Sequence, residues 1–397
     1  MIYRFEDIRG VHLEVTTKCN ANCPMCGRNA FGIVCPGLQL TELTLEDCKR
    51  IFPPTFLNQL TDISICGAYG DPVLAQELLE IIVHMRCSNP NLEIDIYTNG
   101  GARSTSWWER LARVIGRSGK VIFGIDGLED TNHIYRRGTV FTLILRNVKA
   151  FIQAGGRAQW DFIVFKHNEH QVEQARELSV KLGFEVFQVK RTNRFYKVLY
   201  EEDPALKGMG EEFGKYPIYD SNGQKTGYVE LPENPNYRND SLKTLEILIK
   251  EFGSLNRYFD KTPIDCKAKR YQSIFVSATG LVYPCCWAYH QANYRTLYNA
   301  TDPFELRVEN ILRDIGGVQQ ISAKERSLKD IVEGEFFKRI EESWDLPGLT
   351  RGRLKICARA CGHELDMHGK QFENKALNPW CSVIMKTSNK TNRRAKR

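Results

Sequence analysis

Three thiols stand close together near the start of the chain, in Cys19-Asn-Ala-Asn-Cys23-Pro-Met-Cys26, directly after a strand-like run at residues 10–16. A C-x3-C-x2-C spacing suits a [4Fe–4S] cluster that keeps one iron free for an outside ligand, because a cluster with a purely structural role normally takes four cysteines. The competing chemistry is a zinc knuckle, which closes a tetrahedron with four soft ligands and usually pairs C-x2-C with a second C-x2-C or H-x3-H. The next cysteine is Cys35, nine residues further on and past a glycine-containing stretch, so a closed tetrahedral site fits the spacing less well.

A second group of thiols lies late in the chain: Cys266, the pair Cys285-Cys286 after Gly280-Leu-Val-Tyr-Pro, the Cys357-Ala-Arg-Ala-Cys361-Gly-His363 segment, and Cys381. Thirteen cysteines in a sequence with no secretory leader and no bilayer-length apolar run point to a reducing, cytoplasmic setting, where metal or catalytic roles outrank disulfides. Residues 271–278 and 281–283 read as two strands around the Thr279-Gly280 turn, a hairpin that carries Cys285 back toward Cys266. Residues four apart on a following helix share a face, so Cys357 and Cys361 can be presented together. Four thiolates gathered in this way would complete a fully ligated second cluster or, alternatively, a zinc ribbon. Cys48, Cys66 and Cys87 sit in apolar or helical contexts and are expected to be plain buried thiols.

The first spacing resembles the signature of the radical S-adenosylmethionine (radical SAM) superfamily, and further segments carry the likeness in order. Residues 11–20 match the usual strand-to-loop passage into that signature. Gly70-Asp71-Pro72 ends a short buried strand and is similar to the family's Gly-Gly-Glu-Pro element, with Asp in place of Glu. Thr98-Asn99-Gly100 follows a third strand. Asp126-Gly127 follows a fourth, with His133 and Tyr135-Arg136-Arg137-Gly138 after it, similar to the family's Ser-x-Asp-Gly and His-x-x-x-Arg segments. Gly124 stands where the serine is common. The resemblance implies that Cys19, Cys23 and Cys26 hold a [4Fe–4S] cluster whose open iron is chelated by S-adenosylmethionine. It also implies that Met25 packs near the adenine, that Gly70, Asp71 and Pro72 hold the methionine amino group, and that Thr98, Asn99 and Asp126 belong to the same binding site. The late cysteines look like the SPASM extension or its shorter form, twitch. The full SPASM pattern needs a further C-x2-C, and residues 341–356 contain no cysteine. One auxiliary [4Fe–4S] cluster is therefore implied, with Cys266, Cys285 and Cys361 as ligands, Cys357 or Cys381 as the fourth, and Cys286 spare.

These positions need a scaffold. Helical apolar spacing at 43–51, 75–85, 107–115, 141–153 and 172–182 alternates with strand patterns at 10–16, 62–66, 92–97, 121–125, 159–165 and 185–189. In parallel sheets with helical crossovers, the loops leaving the strand C-termini gather on one face, and ligands bind there. The expected fold is α/β: a partial (β/α)6 barrel of the radical SAM type at 1–200, a bridging segment at 201–262, a small α+β SPASM/twitch iron–sulfur domain at 263–385, and a basic disordered tail at 386–397. The bridge, with a turn at Asp220-Ser-Asn-Gly223 and a helix at 242–252, can lie over the open face.

The resemblance implies one-electron reductive cleavage of S-adenosylmethionine to a 5′-deoxyadenosyl radical, which abstracts hydrogen from a substrate. An electron donor such as flavodoxin or ferredoxin is then required as a partner. No acid–base triad is needed, and no catalytic side chain is named. An auxiliary cluster favours a net oxidation, and ribosomally made peptides or proteins are the first choice of substrate. A small molecule such as a sugar or nucleotide is the second. Cys35 is considered as a hydrogen donor to a product radical. The rival class is a non-enzymatic, zinc-stabilised nucleic-acid binder, suggested by two cysteine groups, a formal charge of +7 and the basic tail. No RNA-binding module is visible in the sequence, and no membrane partner is expected.

Overall fold

A computed structural model describes residues 4–195 and 214–365. Cys381, the basic tail and part of the bridge lie outside the described residues. Six parallel strands form the body of the molecule: β1 (Gly10–Leu13), β4 (Asp62–Ile65), β5 (Glu93–Thr98), β6 (Gly119–Gly124), β7 (Ala158–Ile163) and β8 (Val186–Lys190), adjacent in that order. Two short pairs complete the first two hundred residues and the bridge. They are β2 (Asn29–Ala30) with β3 (Ile33–Val34), and β9 (Lys215–Tyr219) with β10 (Lys225–Glu230), both antiparallel.

Each crossover is helical for local reasons. Leu45–Ile51 starts from a capping box in which Thr44 and Asp47 satisfy each other's backbone N–H. Thr105–Ile115 is capped by Ser104, and Val172–Leu182 ends at Gly183 in the left-handed region. Alternate strand residues pack under these helices, among them Ile63, Ile65, Ile94, Ile96, Val121, Phe123, Trp160 and Phe162, all fully buried. The opposite parity faces the barrel interior and is polar. Asp95 pairs with Lys120 at 3.4 Å on neighbouring strands, and Asp161 pairs with Lys190 at 2.6 Å. The result is an open partial barrel of the α/β class with its loops collected at the strand C-termini.

The late hairpin, β11 (Ser273–Val276) and β12 (Val282–Tyr283), joins the same sheet. β11 runs parallel to β1, with Leu13 opposite both Ile65 and Val276, and β12 closes that edge antiparallel. The turn falls at Thr279-Gly280, where Gly280 has φ 83°. This pairing places Cys285 and Cys286, at the start of the helix Cys286–Ala292, beside the barrel rather than on a distant lobe. Among the described residues no helix is long and apolar enough to cross a membrane.

Candidate functional site: two thiol groups at the open end of the barrel

Cys19, Cys23 and Cys26 occupy the loop leaving β1, and that loop is tied to the next three strand ends. Asp71 N–H donates to the Lys18 carbonyl at 2.8 Å, immediately before Cys19. A methyl group on Gly70 would overlap the Thr16 carbonyl oxygen, and one on Gly67 would overlap the Gly70 carbonyl. The Gly67-Ala-Tyr-Gly70 turn can press on the cysteine loop only because both positions lack a side chain. Motif reading had singled out Gly70, but it missed Gly67, whose signal was the second glycine three residues earlier.

Asp71 is buried and accepts three hydrogen bonds, from Thr98 Oγ1 at 2.7 Å, Asn99 N at 2.8 Å and Val73 N at 3.2 Å. Burial raises its pKa, and those three donors oppose the rise. The acid of the Gly-Asp-Pro element thus locks the ends of β4 and β5 together. Asn99 then turns its amide toward the first thiol: Nδ2 lies 2.9 Å from Asn20 Oδ1 and 4.0 Å from Cys19 Sγ. Asn20 was not anticipated; only its place beside Cys19 hinted at it.

At the end of β6, Asp126 is fully buried. It accepts from Ile163 N at 2.6 Å and holds Arg136 Nε at 2.6 Å, and Arg136 Nη1 reaches to 3.9 Å from Cys23 Sγ. Asp126 therefore acts in this structure as an anchor for Arg136. The sequence places Arg136 only within the segment similar to the family's His-x-x-x-Arg element. Gly124 explains the arrangement: a Cβ there would collide with the Arg136 guanidinium. Met25 is buried, and its carbonyl accepts from Arg194 Nη1 at 2.6 Å. Burial pushes the Cys19 thiol up to about 12, with Asp71 adding to the rise, and Cys23 up to about 11, with Arg136 opposing. A bound metal supplies the positive charge that thiols in such a place need in order to ionise.

The other side of the cysteine loop is roofed by the late helices. The Tyr298 hydroxyl donates to the Gly27 carbonyl next to Cys26, and His290 Nδ1 lies 2.9 Å from the Tyr69 hydroxyl. Glu14, on the loop after β1, is fully buried and accepts from Tyr69 N at 2.7 Å. Burial raises its pKa to about 7, against hydrogen bonds from Tyr69, Gly70 and Tyr289. The bridge contributes as well: Tyr216, Ile218 and Val229 of β9 and β10 share one apolar cluster with Cys23, Met25, Tyr135 and Phe165.

Cys266, Cys285, Cys357 and Cys361 line one cavity with Ile264, Pro284, Trp287, Ile340 and Trp344. Cys266 and Cys361 are hydrogen-bonded through their thiols, which holds Cys361 down and Cys266 up, and Cys357 is raised by burial and by Cys285 and Cys361. Lys267 N donates to Cys361 Sγ at 3.5 Å. The helix that carries the C-x3-C pair, Lys355–Cys361, is clamped by buried charges: Lys355 to Asp302 and Glu305 at 3.3 Å each, and Arg359 to Glu305 at 3.2 Å. Among the described residues no three Cys, His, Asp or Glu side chains converge as ligands of a single ion. A cubane does not ask for that, since each thiolate binds its own iron. Of the remaining thiols, Cys48 is buried in the core, whereas Cys87 is exposed near the C-terminus of its helix, contrary to the expectation of a buried thiol. Cys66 is half-buried after β4 and lies within electrostatic reach of Cys286.

Residues 13–178 match the model of the radical SAM superfamily, and no curated protein matches the chain in sequence. The chain carries a radical SAM domain. Among solved structures it is similar to SuiB of Streptococcus suis bound to S-adenosylmethionine, at TM-score 0.54 and 14% identity over 89% of this chain and 73% of that one. SuiB bound to its precursor peptide SuiA matches at 0.53 and 13%, over 89% and 72%. A structure of anSMEcpe with bound AdoMet matches at 0.51 and 14%, over 96% of each chain. These likenesses support a radical SAM-type fold with a further C-terminal region.

Proposed function

We propose that the chain uses S-adenosylmethionine at a [4Fe–4S] cluster on Cys19, Cys23 and Cys26 to oxidise a ribosomally made peptide or protein by hydrogen-atom abstraction. When bound, that pair of groups supplies a 5′-deoxyadenosyl radical. The observation that carries the reading is the convergence of three thiols, on the loop after β1, with the buried ends of β4, β5 and β6. In this reading Asp71 and Asn99 hold the wall against which the methionine end of S-adenosylmethionine lies, Arg136 faces anionic groups beside Cys23, and Met25 with Gly70 and Pro72 bounds the rest. Thr98 and Asp126 act through Asp71 and Arg136. Cys266, Cys285, Cys357 and Cys361 hold one auxiliary [4Fe–4S] cluster that takes up the electron left when the product forms. Four thiols in one apolar cavity fit that group. A peptide substrate is supported by the likeness to SuiB, which is seen with its precursor peptide.

The test is anaerobic reconstitution followed by S-adenosylmethionine and dithionite. The reading expects about eight iron per chain and release of 5′-deoxyadenosine. Cys23→Ala should abolish that product and leave about half the iron. Two tightly bound zinc ions with no iron, together with salt-sensitive RNA binding, would instead establish the nucleic-acid binder.

A further inference from the structure

Cations stand against the loop of Cys19, Cys23 and Cys26, and they are not balanced alike. Lys18 Nζ lies 3.1 Å from Glu42 Oε2, and Arg136 Nε lies 2.6 Å from Asp126 Oδ2, so each of these charges is neutralised by an acid. Arg28 is different. It stands two residues after Cys26, is only 5% exposed, and forms no ion pair among the described residues. Its Nη1 donates to the Thr17 carbonyl and, at 3.2 Å, to the Tyr69 carbonyl, whereas its Nε is buried with no hydrogen-bond partner. The buried acids of the neighbouring segments are engaged elsewhere: Glu14 accepts from Tyr69 N, and Asp71 accepts from Thr98, Asn99 and Val73.

A guanidinium keeps its charge at any pH a protein meets. Taking one out of water with no anion to face is costly, so a buried charge is normally paired. Bracing the loop does not call for the charge, because a neutral amide would also donate to the two carbonyls. The position of Arg28 points to the missing anion. Thr17 stands two residues before Cys19, and Tyr69 lies in the Gly67–Gly70 turn that presses on the same loop, so the guanidinium closes the base of the thiol loop. Arg28 and Cys26 both lie within electrostatic reach of Cys35. Three thiolates outweigh the charge of an oxidised [4Fe–4S] core, so the loaded site is anionic, and more so after it takes up an electron.

We propose that Arg28 is the counter-charge of the site held by Cys19, Cys23 and Cys26, and that it raises the reduction potential of the cluster bound there. The proposal rests on the radical SAM reading above. The step is the uptake of one electron from the reductant. No bond is made or broken, and Arg28 keeps its protons throughout. Fixed charge in a poorly solvated surrounding favours the more negative of two oxidation states, and net charge is one of the quantities that set a cluster's potential. Arg136 does not serve in the same way, because Asp126 cancels its charge.

The experiment is a dithionite redox titration of the reconstituted parent, Arg28→Gln and Arg28→Lys, followed by electron paramagnetic resonance. The signal of the first cluster is the one that changes when S-adenosylmethionine is added, and the auxiliary signal is the internal control. Gln keeps a donor for the carbonyls and drops the charge, whereas Lys keeps the charge and drops the planar fork. At the parent's midpoint, the ratio of reduced to oxidised first cluster should fall about tenfold in Arg28→Gln, or about 59 mV to lower potential for a one-electron couple. It should stay within about threefold in Arg28→Lys, and the auxiliary ratio should hold in both. An unmoved ratio in Arg28→Gln would overturn the proposal, as would an equal fall in Arg28→Lys or in the auxiliary signal. If Arg28→Gln holds no first cluster, Arg28→Met is read in its place. Loss of that cluster from both neutral variants but not from Arg28→Lys would still support a counter-charge, and loss from all three would leave Arg28 a brace only. A parent that shows no signal sensitive to S-adenosylmethionine would sink the radical SAM reading itself, and the proposal with it.

Discussion

Replacing Arg136 by Met should destabilise the chain in a pH-dependent way. Asp126 has no exposed surface, and its Oδ2 is held by Arg136 Nε at 2.6 Å. Removing one partner of a buried pair costs about 3–5 kcal/mol, because the other charge is left without compensation. At roughly 2–4 °C per kcal/mol for domains of about this size, the midpoint of thermal unfolding should fall by about 10 °C. Burial already raises the folded-state pKa of Asp126, and Arg136 is the leading influence holding it down. Without Arg136 the carboxyl moves further up. A raised folded-state value means stability that is present at low pH and lost as pH rises through it, so the gap between variant and parent should narrow as pH falls from 8 to 5.5. Circular dichroism melts of the metal-free proteins at both pH values measure this, and Arg136→Met/Asp126→Asn should recover much of the loss. A drop under about 2 °C, or a gap that ignores pH, would refute the idea that this pair braces the end of β6. Gly124→Ser should give a milder loss of the same kind, since its side chain meets the same guanidinium.

Gly70→Ala should lower stability by about 1–3 kcal/mol through overpacking against the Thr16 carbonyl, seen as a lower midpoint in urea, whereas Gly227→Ala, where a Cβ meets nothing within 4 Å and the backbone is not left-handed, should shift it far less. Cys361→Ser should remove about half of the reconstituted iron while 5′-deoxyadenosine still forms without substrate; a full complement of iron would remove Cys361 from the auxiliary ligand set. Glu14, raised to about 7 by burial, should contribute stability below about pH 4.5 that is lost as pH rises through 7, a swing of about 3 kcal/mol. Glu14→Gln should flatten the melting temperature between pH 5.5 and 8, and an unchanged slope would count against that buried acid.

The alternation of β-strands and helices was legible because each element announces itself locally by its apolar period; the caps Thr44, Ser104 and Gly183 are local signals of the same kind that the reading by period left unused. The spacing of Cys19, Cys23 and Cys26 was legible for the same reason. Less visible was anything set by pairing across long separations. That β11 lies beside β1, more than 250 positions away in sequence, depends on which edge is free once six strands have formed. The C-x3-C spacing puts Cys357 beside Cys361, but that this pair meets Cys266 and Cys285 depends on how buried Lys355 and Arg359 seat one short helix on Glu305. Neither is written in spacing.

The two departures from the family's motifs are the places where sequence reading and structure inform each other most. Asp71 has a shorter arm than the usual Glu, and it spends its oxygens on Thr98, Asn99 and Val73. Its reach is thereby handed to Asn99, whose side chain goes on to Cys19. Gly124 lacks the usual serine, and the room this leaves is filled by Arg136, which goes on to Cys23. In both cases a buried carboxylate positions a second residue that goes on to a thiol. A motif match scored residue by residue reads these as two weakened positions. Taken with their partners they form two braces, Asp71–Asn99 and Asp126–Arg136, each ending at a different thiol of the same loop. Restoring the usual residue at either position alone should therefore disturb the loop rather than improve it, because its partner would then stand in the way.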